Sequence, residues 1–346
     1  MVRIGIAGIG FMGLTHFRAS GSLRGGRVTA ICSRSARKRA GDWRGIGGNF
    51  GSGGEKVDLA NVETFSDYDE LIHSPDVDLV DICYPSDQHA DRAVAALRAG
   101  KHVLVEKPIA LTSWDATRMV RAAKRYDRHL MVAHVLPFFP EYAWLVETIE
   151  AGTYGDLLGA HFKRVISRLD WSGGSLNLAR SGGPGVDLHI HDVHFIQLVF
   201  GKPNRITASG RLVEEAYVEY ASTTYLYDEK PDLTVTCASG AISKKGRPFA
   251  HGFEIYAEGA TIAYEASTLG GKPHVATPLS VITDDGKVRK PRLRGGDAFR
   301  REMQAAVNVV RTGRSSSALS ADRAAAALKL CFKEAESVRR GRTVNV

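Results

Sequence analysis

The chain has 346 residues, 44% of them apolar and 24% charged, which is typical of a globular protein with room for two domains. Its longest apolar run is shorter than the ~18–20 residues that cross a bilayer. Met1-Val2-Arg3-Ile4 begins a strand rather than a targeting signal, so we predict a cytoplasmic protein with no membrane contact. The net charge of +8 comes from scattered basic residues, which favours small anionic ligands over nucleic acid. The four cysteines form no CxxC pair, which argues against a zinc cluster or a disulfide framework.

Short β-branched strands alternate with helical segments over the first part of the chain. A strand opens at Val2, Ile4 and Ile6, and further strands are predicted at 28–32, 62–65, 78–83, 101–105 and 129–133. Helices are predicted at 11–20, 68–74, 90–99 and 113–125. This alternation predicts βαβ units in a doubly wound parallel sheet, a Rossmann domain that spans residues 1–136.

One segment interrupts that alternation. Residues 41–54 hold seven glycines in fourteen positions, a composition that a helix tolerates poorly. We interpret the segment as a mobile surface loop near the ribose of a bound adenosine, or as a flexible insertion without function.

The composition changes after Pro137, where period-two patterns rich in Thr, Val and Tyr follow a connecting helix at 141–151. Strands are predicted at 158–166, 206–210, 217–227, 233–238, 253–258 and 261–264. Two helices, at 299–311 and 321–339, are expected to pack on the outside. The pattern predicts a second α/β domain, residues 137–346, with a large and mostly antiparallel open sheet.

A glycine fingerprint follows the first predicted strand and opens the first predicted helix. In Gly8-Ile9-Gly10-Phe11-Met12-Gly13, the first glycine permits a tight turn, the second admits a pyrophosphate and the third brings helix and strand together. Because the helix N-terminus offers unpaired N–H groups to the phosphates, Gly8, Ile9, Gly10, Phe11 and Met12 are predicted to bind a dinucleotide.

The second strand ends in Ser33-Arg34, with no carboxylate to bind a ribose hydroxyl. A serine hydroxyl and a guanidinium suit a 2′-phosphate instead. We therefore predict an NAD(P) cofactor, with Ser33 and Arg34 at the adenosine ribose and NADP(H) favoured over NAD(H).

The fifth strand ends in Glu106-Lys107-Pro108, and a lysine at the carboxyl end of a parallel strand points into the crevice where such folds bind ligands. Glu106 and Lys107 are therefore placed beside the cofactor, and Pro85 and His89, after the fourth strand, are placed at its nicotinamide ribose. Pro108 is a candidate for a cis peptide bond.

Asp187, His191 and His194 have the spacing of one helical face, whereas His189 points away from it. A metal bound to these three residues is chemically allowed, as is a purely structural role for buried polar groups. Hydride transfer to nicotinamide needs no metal, so we predict none.

These motifs occur together in one order: Gly8–Gly13 with His16, Tyr84-Pro85-Ser86-Asp87-Gln88-His89, Glu106-Lys107-Pro108, and Gly182-Gly183-Pro184-Gly185-Val186-Asp187-x-x-x-His191. The set resembles the glucose–fructose oxidoreductase/inositol dehydrogenase family (Gfo/Idh/MocA), nearly end to end. The resemblance implies a nicotinamide-dependent enzyme for a ring carbon of a sugar, inositol or related polyol. It also implies that Lys107, Asp187 and His191 line the reaction centre, and that the open sheet forms a homo-oligomer, a dimer or a tetramer.

Three positions depart from the family pattern. No arginine lies two or three residues before Pro137, where the family often has one. The last Asp of the usual Asp-x-x-x-His-x-x-Asp is replaced by His194, and His189 stands where a small residue is common. The first two changes lie in the expected substrate region, where Trp171, Arg180 and His194 are our candidate substrate contacts.

We interpret the chain as an NAD(P)-dependent dehydrogenase or reductase of CH–OH groups. Lys107 and His191 are expected to act as the acid–base pair, oriented by Asp187. Two alternatives stay open, a glycoside-cleaving enzyme that oxidises its substrate transiently and a cofactor-sensing regulator without turnover.

Overall fold

The computed structural model describes residues 1–48, 53–168 and 177–346. The chain forms two compact units, Met1–Phe138 with Gly296–Ala325, and Phe139–Gly295 with Ala326–Val346. The boundary at Phe138 lies two residues from the predicted one. The first unit also includes Gly296–Ala325, a segment from far along the chain. Each unit is therefore built from two separate stretches of sequence, whereas the predicted domains were each a single stretch.

The first unit is built on a six-stranded sheet of the described residues, in the order β3-β2-β1-β4-β5-β6. All neighbouring strands in it are parallel. The strands are β1 Val2–Ala7, β2 Gly26–Cys32, β3 Glu63–Phe65, β4 Leu79–Ile82, β5 His102–Glu106 and β6 Leu130–Ala133. The helices are α1 Phe11–Ser20, α2 Ala36–Arg39, α3 Tyr68–His73, α4 His89–Arg98 and α5 Ser113–Arg125. This is the doubly wound parallel sheet that the alternating pattern predicted.

Local capping chemistry explains why the helix limits were predictable. Helix α5 begins after Thr112, whose side chain accepts a hydrogen bond from the backbone N–H of Asp115 at 3.0 Å. Its observed limits, Ser113–Arg125, are those read from the sequence, as are the limits of α1.

Two side chains of the glycine-rich segment, Trp43 and Ile46, are buried in the core of the first unit. Residues 49–52 of the predicted loop lie outside the described residues, and the mobility of the loop stays a prediction. Trp43 has no exposed surface, and its ring meets that of Phe17 edge-on at 4.9 Å. Its indole N–H donates to the carbonyl oxygen of Lys38 at 2.7 Å. Gly48 lies against the Phe11 ring, where a Cβ atom would have no room. An indole ring offers enough apolar area to hold a glycine-rich chain in place.

Helix α10, Ala298–Thr312, belongs to the first unit rather than to the outside of the second. Asp297 caps it by accepting from the backbone N–H of Arg300 at 2.9 Å. Met303, Ala306 and Val307 are fully buried in the same apolar core as the strands of the parallel sheet. The amphipathic pattern predicted the helix but not the sheet that it covers.

The second unit is built on a nine-stranded sheet, counted over the described residues, in the order β14-β13-β12-β11-β7-β10-β9-β8-β15. Strands β7 and β10 are parallel, and the other neighbours are antiparallel. The strands are β7 Leu157–Ser167, β8 Arg205–Val213, β9 Tyr217–Leu226, β10 Thr234–Ser243, β11 Phe249–Ala257, β12 Ala260–Leu269, β13 Lys272–Ile282, β14 Val288–Arg289 and β15 Val344–Asn345. The predicted antiparallel sheet is confirmed, with β13 to β15 added.

The remaining helices are α6 Pro140–Glu150, α7 Leu178–Ser181, α8 Pro184–Asp187, α9 Ile190–Phe200 and α11 Ala321–Arg340. Among the described residues, no helix combines the length and the apolar character that spanning a bilayer requires.

Candidate active site

The glycine fingerprint has the geometry of a dinucleotide cradle. Gly8 adopts a φ of 97°, and a Cβ atom there would lie 2.8 Å from the carbonyl oxygen of Cys83. A Cβ atom on Gly13 would lie 2.2 Å from the carbonyl oxygen of Gly8, whereas one on Gly10 would meet nothing within 4 Å. Helix α1 starts after Gly10 without a side-chain cap. Open space therefore faces a helix N-terminus whose first N–H groups lack intrahelical acceptors, which fits a bound phosphate.

The carboxyl end of β2 presents hydroxyl and cationic groups. Ser33 is buried and Arg34 is exposed, and their contact with an adenosine ribose stays a prediction. The amine of Lys38 extends back to the glycine loop, where it donates to the carbonyl oxygen of Ile9 at 2.5 Å. The Arg39 guanidinium donates to the carbonyl oxygens of Ser33 and Arg34 at 2.7 and 3.1 Å. The contact of Lys38 with the glycine loop was not predicted from the sequence.

His89 ties together the loops that follow β4 and β5. Its Nδ1 lies 2.8 Å from the carbonyl oxygen of Pro108 and its Nε2 lies 2.9 Å from that of Tyr84. Burial lowers the pKa of His89, although the contacts with the carbonyl oxygens of Pro108 and Tyr84 oppose that shift. Because both nitrogens face backbone oxygens, the geometry gives His89 a role in holding these loops. Pro85 starts the turn Ser86–Gln88 just before it.

Glu106 and Lys107 occupy the carboxyl end of β5, and the Lys107–Pro108 peptide is cis, as predicted. Glu106 is buried, and one oxygen of its carboxylate, Oε2, accepts from the backbone N–H of Lys107 at 3.1 Å. The other oxygen, Oε1, lies 3.1 Å from Nε2 of His16. Lys107 itself is half-buried.

His16 is the centre of a buried cluster in the first unit. Its Nδ1 donates to Asp81 at 2.9 Å, and its Nε2 lies 3.8 Å from a carboxylate oxygen of Glu302. Burial opposes protonation of His16, but the electrostatic interactions and hydrogen bonds of Asp81 and Cys83 together raise the pKa of His16 well above its usual range. Burial raises the pKa of Glu302 well above its usual range, although His16 opposes that shift. The cluster thus holds an imidazolium beside a neutral acid.

In the second unit, Asp187 ends helix α8 and His191 lies in the first turn of α9. Both side chains are half-buried. The single helical face that the spacing predicted is instead two helices joined by Leu188 and His189. At this joint the backbone N–H of His189 bonds to the carbonyl oxygen of Pro184, five residues back. Such a widened turn changes the direction of the side chains that follow it.

Two buried ion pairs involve residues at this joint or directly after it. Nε2 of His189 lies 2.5 Å from Glu334, and the Arg164 guanidinium forms two hydrogen bonds with Asp192, at 2.6 and 3.1 Å. Burial opposes protonation of His189, but Glu334 outweighs it and raises the pKa of His189. The partner of His189, Glu334, was not predicted. That His189 points away from the Asp187 side stays a prediction.

The candidate substrate residues differ in their exposure to solvent. Arg180 is exposed on α7, whereas His194 is fully buried in α9, which favours a supporting role over direct contact for His194. Trp171 lies outside the described residues. The contacts of all three with a substrate stay predictions.

Comparison with known proteins covers both units. A model described as "Oxidoreductase family, NAD-binding Rossmann fold" matches residues 2–134, and the "GFO/IDH/MocA C-terminal domain" matches residues 142–263. The chain is 30% identical over 184 residues to the trans-1,2-dihydrobenzene-1,2-diol dehydrogenase of Mus musculus, a match to 51% of this chain and 53% of that protein.

A second relative is the myo-inositol 2-dehydrogenase of Thermotoga maritima, 30% identical over 203 residues, 58% of this chain and 55% of that protein. The chain thus spans about half the length of the curated relatives it matches. Among solved structures, aldose-aldose oxidoreductase from Caulobacter crescentus superposes with a TM-score of 0.78 at 20% identity, over 100% of this chain and 99% of that one. That likeness shows the fold.

Proposed function

Because the chain belongs to the GFO/IDH/MocA oxidoreductase family, we propose that it is an NAD(P)-dependent dehydrogenase or reductase. Its substrate class would be the secondary alcohols and ketones of sugars, inositols and related cyclic polyols. The observation that supports the proposal most directly is the glycine cradle, with open space at Gly10 in front of the uncapped N-terminus of α1.

The residues that would hold the cofactor are those of the cradle, Ser33 and Arg34 at the end of β2, and the loops that His89 ties together. When bound, the nicotinamide supplies the hydride acceptor or donor. We propose NADP(H) rather than NAD(H), since Ser33, Arg34 and the amine of Lys38 offer a hydroxyl and positive charge where an NAD site has a carboxylate.

The proton that accompanies the hydride needs a group that can accept and return it. We propose that Lys107 and His191 exchange this proton with the reacting hydroxyl and that Asp187 orients them. The half-burial of all three supports this role, since such side chains are partly desolvated yet reachable. A metal is not required for this chemistry.

The substrate class rests on the relatives, which are named for a cyclic diol and an inositol. Both named compounds carry hydroxyl groups on neighbouring ring carbons. Arg180 and Trp171 are the residues that we propose for recognising such hydroxyl groups.

Lys107→Met tests the acid–base assignment. We expect kcat/KM with a ring polyol to fall by about 10²–10⁴-fold, because proton transfer loses its group, while cofactor affinity changes little. The measurement follows reduced cofactor by absorbance, with NAD⁺ and NADP⁺ and a panel of inositols, sugars, sugar acids and cyclic diols.

Lys101→Met is the matched control. Lys101 lies just before the other end of β5, where its amine donates to the carbonyl oxygens of Ser74 and Val77. Near-normal turnover by Lys107→Met would refute the assignment. Reduced cofactor formed in far less than stoichiometric amount alongside product would favour transient oxidation, and tight cofactor binding without turnover would favour a regulator.

A further inference from the structure

The buried cluster around His16 unites four separate elements of the first unit. His16 lies on α1, Asp81 on β4, Glu106 at the end of β5 and Glu302 on α10. Their side chains are between 0 and 8% exposed. The cluster places three carboxyl groups around one imidazole and keeps all four groups out of water. Removing such groups from water costs free energy of desolvation.

Among the described residues, the ionisable groups that contact His16 come from β4 and its end, β5 and α10. Asp81 and Cys83 approach from β4 and its end, Glu106 from β5 and Glu302 from α10, where the Phe299 ring also lies 6.3 Å from the imidazole. Burial raises the pKa of the Cys83 thiol, so Cys83 stays neutral. Nδ1 of His16 is hydrogen-bonded to Asp81, and the second ring nitrogen, Nε2, faces Glu106.

Glu106 connects this cluster to the proposed catalytic lysine. Oε1 of its carboxylate faces the imidazole of His16 at 3.1 Å, and Oε2 accepts from the backbone N–H of Lys107 at 3.1 Å. On the far side of Lys107, His89 contacts the carbonyl oxygen of Pro108 at 2.8 Å. Lys107 is thus held on both sides by buried groups that do not themselves need to touch a substrate.

We propose that His16 and Asp81 are positioning residues that fix the Glu106 carboxylate and, through it, the backbone that carries Lys107. This inference rests on the proposed role of Lys107. The imidazolium of His16 fixes the position of the Glu106 carboxylate, because the two form a buried ion pair with 3.1 Å between Nε2 and Oε1. Without that partner, the carboxylate would be free to turn, and Lys107 would lose its orientation.

Two variants test the proposal, His16→Gln and the isosteric Asp81→Asn, which removes the charge that keeps His16 protonated. Asp81→Asn keeps the shape of the cluster and guards against a failure of His16→Gln to fold. We expect kcat to fall by about tenfold or more in both, the loss typical of a hydrogen bond to a charged group. The cofactor Kd, from fluorescence titration, should stay within about threefold.

Amide hydrogen exchange of residues 104–110 supplies a readout that needs no turnover. In both variants we expect exchange at the Lys107 amide to accelerate by about tenfold or more, because its acceptor is no longer held. The control is Met303→Ala, a fully buried apolar residue beside Glu302, which should lower Tm while leaving kcat and this exchange near those of the parent.

The outcomes separate the two ideas. The positioning role would be overturned if His16→Gln and Asp81→Asn changed amide exchange and kcat no more than Met303→Ala does at a similar loss of Tm. If the parent protein turns over no ring polyol, the proposed function fails, and the exchange measurement alone decides the positioning role.

Discussion

Glu302 is a carboxyl group with no exposed surface, and its protonation connects the cluster around His16 to stability. Burial raises its pKa well above the usual 4.5, so the folded chain holds a proton that the unfolded chain releases above that pH. Stability from this group is therefore complete at low pH and falls as the pH rises through the window above 4.5. The slope is at most about 1.4 kcal/mol per pH unit.

Glu302→Gln should remove that pH dependence, since an amide has the shape of a neutral carboxylic acid. We expect its Tm to match the parent's below pH 4.5 and to exceed it increasingly at higher pH. Thermal unfolding at a series of pH values checks this.

Glu336→Gln is the control of opposite sign. A hydrogen bond from Lys333 lowers the pKa of Glu336, so this group stabilises the fold above its unfolded pKa and the variant should melt slightly lower there. If the difference in Tm between Glu302→Gln and the parent were the same at every pH, Glu302 would not be protonated in the folded protein.

At the scale of elements, the segment after α2 shows how one side chain organises a stretch of poor helix formers. Trp43 is enclosed between Phe17 of α1 and the carbonyl oxygen of Lys38. The backbone beside it is paired as well, since the N–H of Trp43 donates to Glu55 and that of Val57 donates to Gly41. The segment adjoins the fingerprint through the contact of Gly48 with Phe11.

Trp43→Ala should therefore destabilise the protein by about 3–5 kcal/mol, the cost of emptying a large buried site. Trp43→Phe should cost less, because it fills most of the space and loses mainly the indole hydrogen bond. Denaturant unfolding measures both.

Trp114→Ala is the matched control, because Trp114 is 70% exposed on α5 and its loss should change stability by less than about 0.5 kcal/mol. Equal and small effects at Trp43 and Trp114 would mean that Trp43 does not anchor the segment, and would favour the predicted mobile surface loop.

Helix limits and strands of the parallel sheet followed from local rules, as at Thr112 and at the glycines after β1. The candidate site was predicted in part: the fingerprint, Ser33, Lys107 and Asp187 all come from recognisable local patterns. Asp81 and Glu302 could not be found in this way, because a lone acidic residue in a strand or helix has no local sign of its partner. His16 and Glu302 are brought together only when α10 returns to the first unit.

At the scale of the whole molecule, the open face of the nine-stranded sheet is the surface that we propose for self-association. Leu158 on β7 and Tyr256 on β11 are 53% and 42% exposed, and they line a shallow depression with residues of β7 and β10. A patch of this kind on a strand face is suited to a second copy of the same sheet.

Leu158→Glu combined with Tyr256→Glu should convert the proposed oligomer to monomers, since like charges would meet across a symmetric interface. Size-exclusion chromatography with light scattering gives the mass. Val288→Glu, at a 63% exposed position on β14, is the control that should keep the oligomer. A parent that is already monomeric, or a double variant that stays assembled, would refute this surface.

The sequence by itself determined the order of the elements, the nucleotide cradle and the family, because capping, periodicity and glycine spacing act over a few neighbouring residues. Tertiary structure alone decided that 296–325 joins the first unit, that β7 pairs in parallel with β10, and that Trp43 is buried. It also decided which charges share a site, as for His16 with Glu302 and His189 with Glu334. Those outcomes depend on contacts between residues far apart in the chain, whose energies no local pattern records.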